Sequence, residues 1–432
     1  MFLAIALSLC MALDVALGQV YPVEIINYSG PPDEFLNIVI IGDGYTDIQQ
    51  DKFINDVRYT VNGFLNQKPF SDFREMINVY AISVISAETG ASNNPDQLID
   101  NYFGSSFWSY GIERLLVAWH YARITSVLNE NTPFYDQGAI IVNDPRYGGS
   151  GGQFSVFTTH VQAIELFLHE FGHSFADLAD EYWAGEQYAA EKTNMTRDNN
   201  PETIRWKYFL YNNGIGIYPH EESPTWYRPH QSCKMRFLGS PFCDVCSDKI
   251  ENDIIAMVSG ENQGLPIAFF GANKLVVDKG TEVNFYDFSI NRPENWEWTF
   301  EGGTPGSSTE QHPVVTYEEA GSYSVSLKTV NSFGESLFER EMYITVNLPS
   351  DTWLIDYSDK VIIYPNPAGD YLIIDHDQVV IPSRYKIFNT LGMAVKEGIV
   401  EENIIVSGLP PGIYFIRIKV NNTFVTKKFI KE

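Results

Sequence analysis

The chain has 432 residues, 44% of them hydrophobic and 14% aromatic, and a formal net charge of −26 at pH 7. That length and apolar content allow roughly two to four domains with buried cores. The charge excludes nucleic acid and anionic membrane surfaces as partners, because binding phosphate needs an excess of Lys and Arg.

The acidity comes without the ligand spacing of an EF-hand loop, so it reads as a solvated surface suited to an extracellular medium. The first stretch, MFLAIALSLCMALDVALGQVYP, is apolar but short and is broken by Asp14, so it does not read as a membrane span. It reads as a signal peptide, residues 1–18, with its core at Phe2–Val15 and cleavage after Gly18. No Lys or Arg precedes that core, which departs from the usual pattern, and Leu9 is large for a lipoprotein signal ending at Cys10. Three cysteines then remain, Cys233, Cys243 and Cys246, too few for disulfides to hold the fold together.

From residue 19 to 262, strand-like and helix-like stretches alternate. LNIVIIGDGYT reads as a buried strand ending in a Gly-rich turn. QQDKFINDVRYTVNGFLN places Phe53, Val57, Val61 and Leu65 on one helical face. INVYAISVIS is a second strand. AIIVNDPRYGGSGGQFSVF reads as strand, glycine turn, strand, either a plain hairpin or an edge to which an extended peptide adds. THVQAIELFLHEFGHSFADLAD is the longest helical pattern, with Thr159 as candidate N-cap.

The texture changes near Gly264. Residues 264–347 alternate short strands and polar turns, the pattern of a β-sandwich. WEWTFEGGTP with Trp298, followed by YEEAGSYSVSLKTVN, resembles the PKD type of immunoglobulin-like domain. The resemblance implies a spacer or a surface- or glycan-contacting module. Residues 348–359 read as a linker. In residues 360–432, YPNP, YKIFNTLGMAV, LPPGIYFIRI and the basic KKFIK resemble the C-terminal sorting domain of the type IX secretion system. That implies contact with the secretion machinery and export across the outer membrane of a Bacteroidetes-type bacterium.

The chemistry lies in LFLHEFGHSFADLADEYW, residues 166–183. His169 and His173 fall one turn apart on one helical face, a spacing that lets two neutral imidazoles bind one zinc ion. Glu170 is offset so that its carboxylate can take a proton from water beside the metal. Leu166, Leu168, Phe171 and Phe175 supply the apolar packing. The metzincin pattern puts a third ligand six residues after the second His, which here is Ala179, so this chain departs by one.

H-E-x-G-H-x-x-x-x-L-x-D-E-Y, together with LNIVIIGDGYT and SCKMRFLGSPFCDVC, resembles the IgA-peptidase family of metallopeptidases. The resemblance implies an α/β metzincin-like catalytic domain, a mixed twisted sheet backed by two long helices, followed by two all-β sandwich domains. It implies Asp180 as the third zinc ligand, with Glu181 the competitor, and Met235 as a packing residue beneath the histidines. Asp177 shares the helix with both histidines and is the poorer candidate. The cysteines fit one disulfide plus a free thiol, or a second structural zinc; a structural calcium is a further candidate from the acidity. Tyr182 fits either packing or a hydrogen bond to the oxyanion.

The expectation is a secreted zinc endopeptidase acting on protein or peptide substrates, with metal ligands His169, His173 and Asp180 and catalytic base Glu170. Its rivals are a zinc amidase acting on glycans or cell wall, and a non-catalytic surface-binding protein with a structural zinc site. The family name does not carry a substrate to this chain.

Overall fold

The computed structural model describes residues 20–94, 97–258, 264–347, 361–375, 383–389, 394–400, 403–420 and 423–432. The expected signal peptide, with Cys10, and the expected linker lie outside the described residues. The chain divides into two compact units, residues 1–348 and 349–432.

The first unit opens on a mixed six-stranded sheet. Its strands are β1 (Val23–Asn27), β2 (Leu36–Asp43), β3 (Ile77–Ile82), β6 (Gln137–Val142), β7 (Gly149–Ser150) and β8 (Ser155–Thr158), in spatial order β1-β3-β2-β6-β8-β7. A separate two-stranded ribbon pairs β4 (Ser105–Ser106) with β5 (Val117–Ala118). Strands β2, β3, β6 and β8 run parallel, while β1 and β7 pair antiparallel at the two edges.

Every residue of β2 is buried, because both faces of the sheet are covered. On one face Leu36, Ile38 and Ile40 pack against α1 (Gln50–Phe64), α3 (Ala163–Ala176) and α4 (Asp244–Val258). On the other, Val39 and Ile41 pack with α2 (Tyr121–Asn131) and with Phe288 from the next domain. A strand buried on both sides has no polar face to alternate, hence the unbroken run LNIVII. Helix α3 is pinned by Phe167 and Phe171, whose rings meet Phe64, Phe70 and Phe157 at centroid distances of 4.7 to 5.5 Å. Each buried Phe stabilises by about 1.5–3 kcal/mol, so this face of α3 is fixed and the histidine face has one orientation.

The structure departs from the sequence reading in four places. The sheet is backed by four helices, not two: α2 buries Ile124, Val127 and Leu128, and α4 buries Val245, Cys246, Ile250 and Ile254. Helix α3 starts at Ala163, later than expected, and Thr159 donates to the Asp144 carbonyl rather than capping it. Strands β6 and β8 do not form a hairpin; they pair in parallel, and the intervening chain crosses outside them as β7. The outer side of β7 is not open along its length, for Gly149 bridges to Leu115 and Leu116 N donates to its carbonyl.

Residues 264–347 form two facing sheets. One orders Phe270–Ala272, Glu282–Asp287, Val314–Tyr317 and Gly303–Thr304; the other contains Val276–Asp278, Gly334–Asn347, Gly321–Asn331, Asn295–Phe300 and Ser307–Ser308. Trp298 is buried at their centre, its indole N–H donating to the Glu310 carbonyl. This sandwich is joined to the α/β part: Phe288 enters its second core, Asn291 N donates to Asp33 at 2.8 Å, and Gln311 donates to the Tyr28 hydroxyl. The second unit carries a three-stranded and a four-stranded sheet around a core that includes Ile387, Ile416, Ile418 and Phe429.

His312 sits in that joint, edge-on to Tyr28 at 5.0 Å, with Nδ1 accepting from Asp287 N and Nε2 buried without a partner. Burial pushes the imidazole down to about 4. The folded chain therefore refuses a proton that the unfolded chain accepts near 6.5, and this contribution to stability is lost as pH falls from about 6.5 towards 4. Between pH 7 and pH 5 the native chain is expected to lose on the order of 1–2 kcal/mol more stability than a His312→Gln variant, which keeps an acceptor but does not titrate. Paired thermal melts check this; equal losses would show that His312 is not the group responsible.

Candidate active site

Helix α3 ends at Ala176, and Asp177 takes a left-handed conformation, φ 51°. Asp tolerates that region better than most residues, so no glycine is needed for the turn. The Asp177 carboxylate points away and pairs with Lys192. Leu178 N closes onto the Gly172 carbonyl, and the chain doubles back along the helix. That reversal delivers Asp180 to the histidines.

Asp180 Oδ1 lies 3.1 Å from His169 Nε2 and 3.2 Å from His173 Nε2, and the two Nε2 atoms are 3.2 Å apart. Each ring is oriented from behind: His169 Nδ1 donates to the Lys234 carbonyl at 3.0 Å and His173 Nδ1 to the Leu178 carbonyl at 2.7 Å. With Nδ1 holding the proton of a neutral ring, both Nε2 lone pairs face each other and the carboxylate. Three electron-rich atoms meeting this way need a shared cation, either a proton on one imidazole or a metal ion. Burial pushes the Asp180 carboxyl up, but the two imidazoles outweigh it and hold it far below the carboxylate range. Burial likewise lowers His173, and the Asp180 carboxylate outweighs it, raising the imidazole to about 9. The donor set of two imidazoles and a carboxylate, each His with a backbone carbonyl behind it, fits a zinc ion.

Glu170 is buried beside this group, against β7, where a side chain at Gly149 would strike its Oε1. Burial raises its carboxyl pKa. Two residues on, a Cβ at Gly151 would stand 2.4 Å from His173 Cβ, so the edge segment crosses the active helix at a distance only glycine allows. Beneath the helix, a Cβ at Gly172 would meet Met235 Sδ at 2.8 Å. Met235 is fully buried there.

Side chains that the sequence reading did not single out complete the surroundings. Arg114 donates to the Tyr182 hydroxyl at 3.3 Å and lies over that ring, beside Asp180. Tyr147 stands near Glu170 and lines an open cleft of about 660 Å³ with Phe107, Trp108, Arg114 and His160. These residues come from loops, where no local period marks them.

Glu181, the competing third ligand, is elsewhere. It is fully buried among Cys233, Cys243 and Cys246. The three cysteines are separate thiols, so the expected disulfide is not formed.

Residues 23–214 match the family model described as IgA Peptidase M64, residues 268–343 match the PKD domain, and residues 362–432 match the secretion system C-terminal sorting domain. The three matched segments stand in the expected order, an α/β segment followed by two all-β segments. No helix among the described residues is long and apolar enough to cross a membrane. No curated protein matches the chain. Among solved structures it is similar to the PKD1 domain of Vibrio anguillarum Epp, at 27% identity over 20% of this chain and 100% of that one, TM-score 0.17. It is also similar to the PKD1 domain from Vibrio cholerae metalloprotease PrtV, at 26% identity over 19% and 98%, TM-score 0.16. Overlaps this short bear on nothing beyond that segment.

Proposed function

We propose that residues 19–262 are a metzincin-like zinc endopeptidase, exported with the aid of the N-terminal signal and the C-terminal sorting domain. His169, His173 and Asp180 hold the metal, and Glu170 is the catalytic base. The supporting observation is the convergence of two Nε2 atoms and one Oδ1 at 3.1 to 3.2 Å. Nitrogen and oxygen ligands at zinc distances define a tetrahedron with an edge of about 3.3 Å.

When bound, zinc polarises the scissile carbonyl and brings the pKa of water towards ~7. Glu170 removes a proton from the attacking water and returns it to the leaving amine nitrogen. Burial raises the Glu170 carboxyl, which makes it a stronger base than an exposed carboxylate and a ready donor once protonated. The Lys234 and Leu178 carbonyls keep the imidazoles in one tautomer. The PKD-type domain, packed on the α/β part through Phe288 and Asn291, serves as a spacer or surface-contacting module.

The test is digestion of a complex peptide library by the mature chain, read by mass spectrometry. Cleavage is expected, abolished by a chelator and restored by zinc. A zinc-loaded chain that cuts no peptide but releases sugars or wall peptides would move the reading to an amidase.

A further inference from the structure

The three thiols and Glu181 are a second set of donors, independent of the histidines. Their ligating atoms all lie within 4.8 Å of one another. Cys233 Sγ and Cys246 Sγ are 3.7 Å apart, and Cys246 Sγ is 3.4 Å from Glu181 Oε1. A disulfide requires about 2.05 Å. A tetrahedral zinc with sulfur at about 2.3 Å and oxygen near 2.0 Å has S···S edges of about 3.8 Å and S···O edges of about 3.5 Å. The two observed edges, 3.7 and 3.4 Å, match those of such a tetrahedron.

The surroundings suit thiolates and leave the carboxylate incomplete. Cys243 and Cys246 flank the N-terminus of the 15-residue α4, where unpaired N–H groups and the helix dipole favour negative sulfur. Cys243 N donates to Cys233 Sγ at 3.3 Å. Asn194, fully buried, donates to Glu181 Oε1 at 3.1 Å, yet Glu181 Oε2 has no hydrogen-bond partner. A carboxylate buried this deeply with an oxygen unsatisfied is destabilising unless a cation or proton completes it.

We propose that Cys233, Cys243, Cys246 and Glu181 bind a structural zinc ion that sets the geometry of the catalytic centre. Soft thiolates select zinc over calcium or magnesium. A complete set of four protein ligands leaves no position for substrate, so the ion is structural. The two centres share two chain segments. Glu181 follows Asp180 directly, and Cys233 precedes Lys234, whose carbonyl orients His169, and Met235, which packs under Gly172. Glu181 N donates to the Met235 carbonyl at 2.8 Å, closing the link between the segments. Two segments some fifty residues apart in sequence are thereby clamped by one ion.

Mature chain from residue 19, purified without chelator, is analysed for zinc by mass spectrometry beside a His169→Gln/His173→Gln variant and a Cys243→Ser variant. Two zinc ions per native chain are expected and one in each variant. A mercurial thiol reagent added to the native chain is expected to release one zinc, and denaturation in chelator without reductant to expose three thiols. That native-chain readout holds even if Cys243→Ser does not fold. A single zinc that disappears in the histidine variant would overturn this site and leave the proposed peptidase centre standing. A single zinc that survives there would support this site and remove the catalytic one. A disulfide, or three thiols that react without releasing zinc, would also overturn it.

Discussion

Replacing Glu170 by glutamine is expected to leave zinc content and folding unchanged while lowering peptide-bond hydrolysis by about 10²–10⁴-fold. The two side chains have nearly the same shape, and Glu170 is packed between α3 and the glycine edge at Gly149, so glutamine fits the same space. The amide cannot accept a proton, and the step lost is proton transfer to and from the reacting atoms. The metal should remain, because the three atoms at 3.1 to 3.2 Å belong to His169, His173 and Asp180 and not to Glu170. Metal analysis beside timed peptide digestion separates the two roles. If zinc is lost along with activity, Glu170 is a ligand and the base lies elsewhere.

The second large effect is expected at Asp180. Asp180→Ala removes the carboxylate that joins the two imidazoles and leaves two ligands, too few for tight zinc binding. Loss of an outer-shell partner costs 10–100-fold in metal affinity, so loss of a direct ligand should exceed about 10²-fold. Competition with a graded series of chelators measures this, and hydrolysis should fall in step with occupancy. Glu181→Gln provides the contrast: its carboxyl lies with the thiols, so the histidine centre should keep its ion even if less well ordered. An Asp180→Ala chain that binds zinc as the native one does would exclude Asp180 as a ligand.

These expectations also mark how far local sequence reaches. The spacing of His169, Glu170 and His173 is a property of one helix, fixed by 3.6 residues per turn, and is legible without neighbours. The buried strands were legible for a similar reason, since a sheet covered on both faces demands consecutive apolar residues. Helices α2 and α4 carry the same kind of signal at Ile124, Val127, Leu128 and at Cys246, Ile250, Ile254, but polar and β-branched residues dilute the first and acidic residues the second.

The sequence by itself thus determined the one-turn spacing of His169 and His173 with Glu170 between them, and the segments that match the PKD and sorting-domain models. Only the tertiary structure decided which of the adjacent acids, Asp180 and Glu181, faces the histidines. Neighbouring residues in an irregular turn have no period to orient them. Their directions depend on where α3 stops, on the left-handed turn at Asp177, and on partners at Cys233, Cys243, Cys246 and Lys234 that lie more than fifty residues further along the chain. Contacts at that separation are set by packing of the whole core, which leaves no mark in any local stretch.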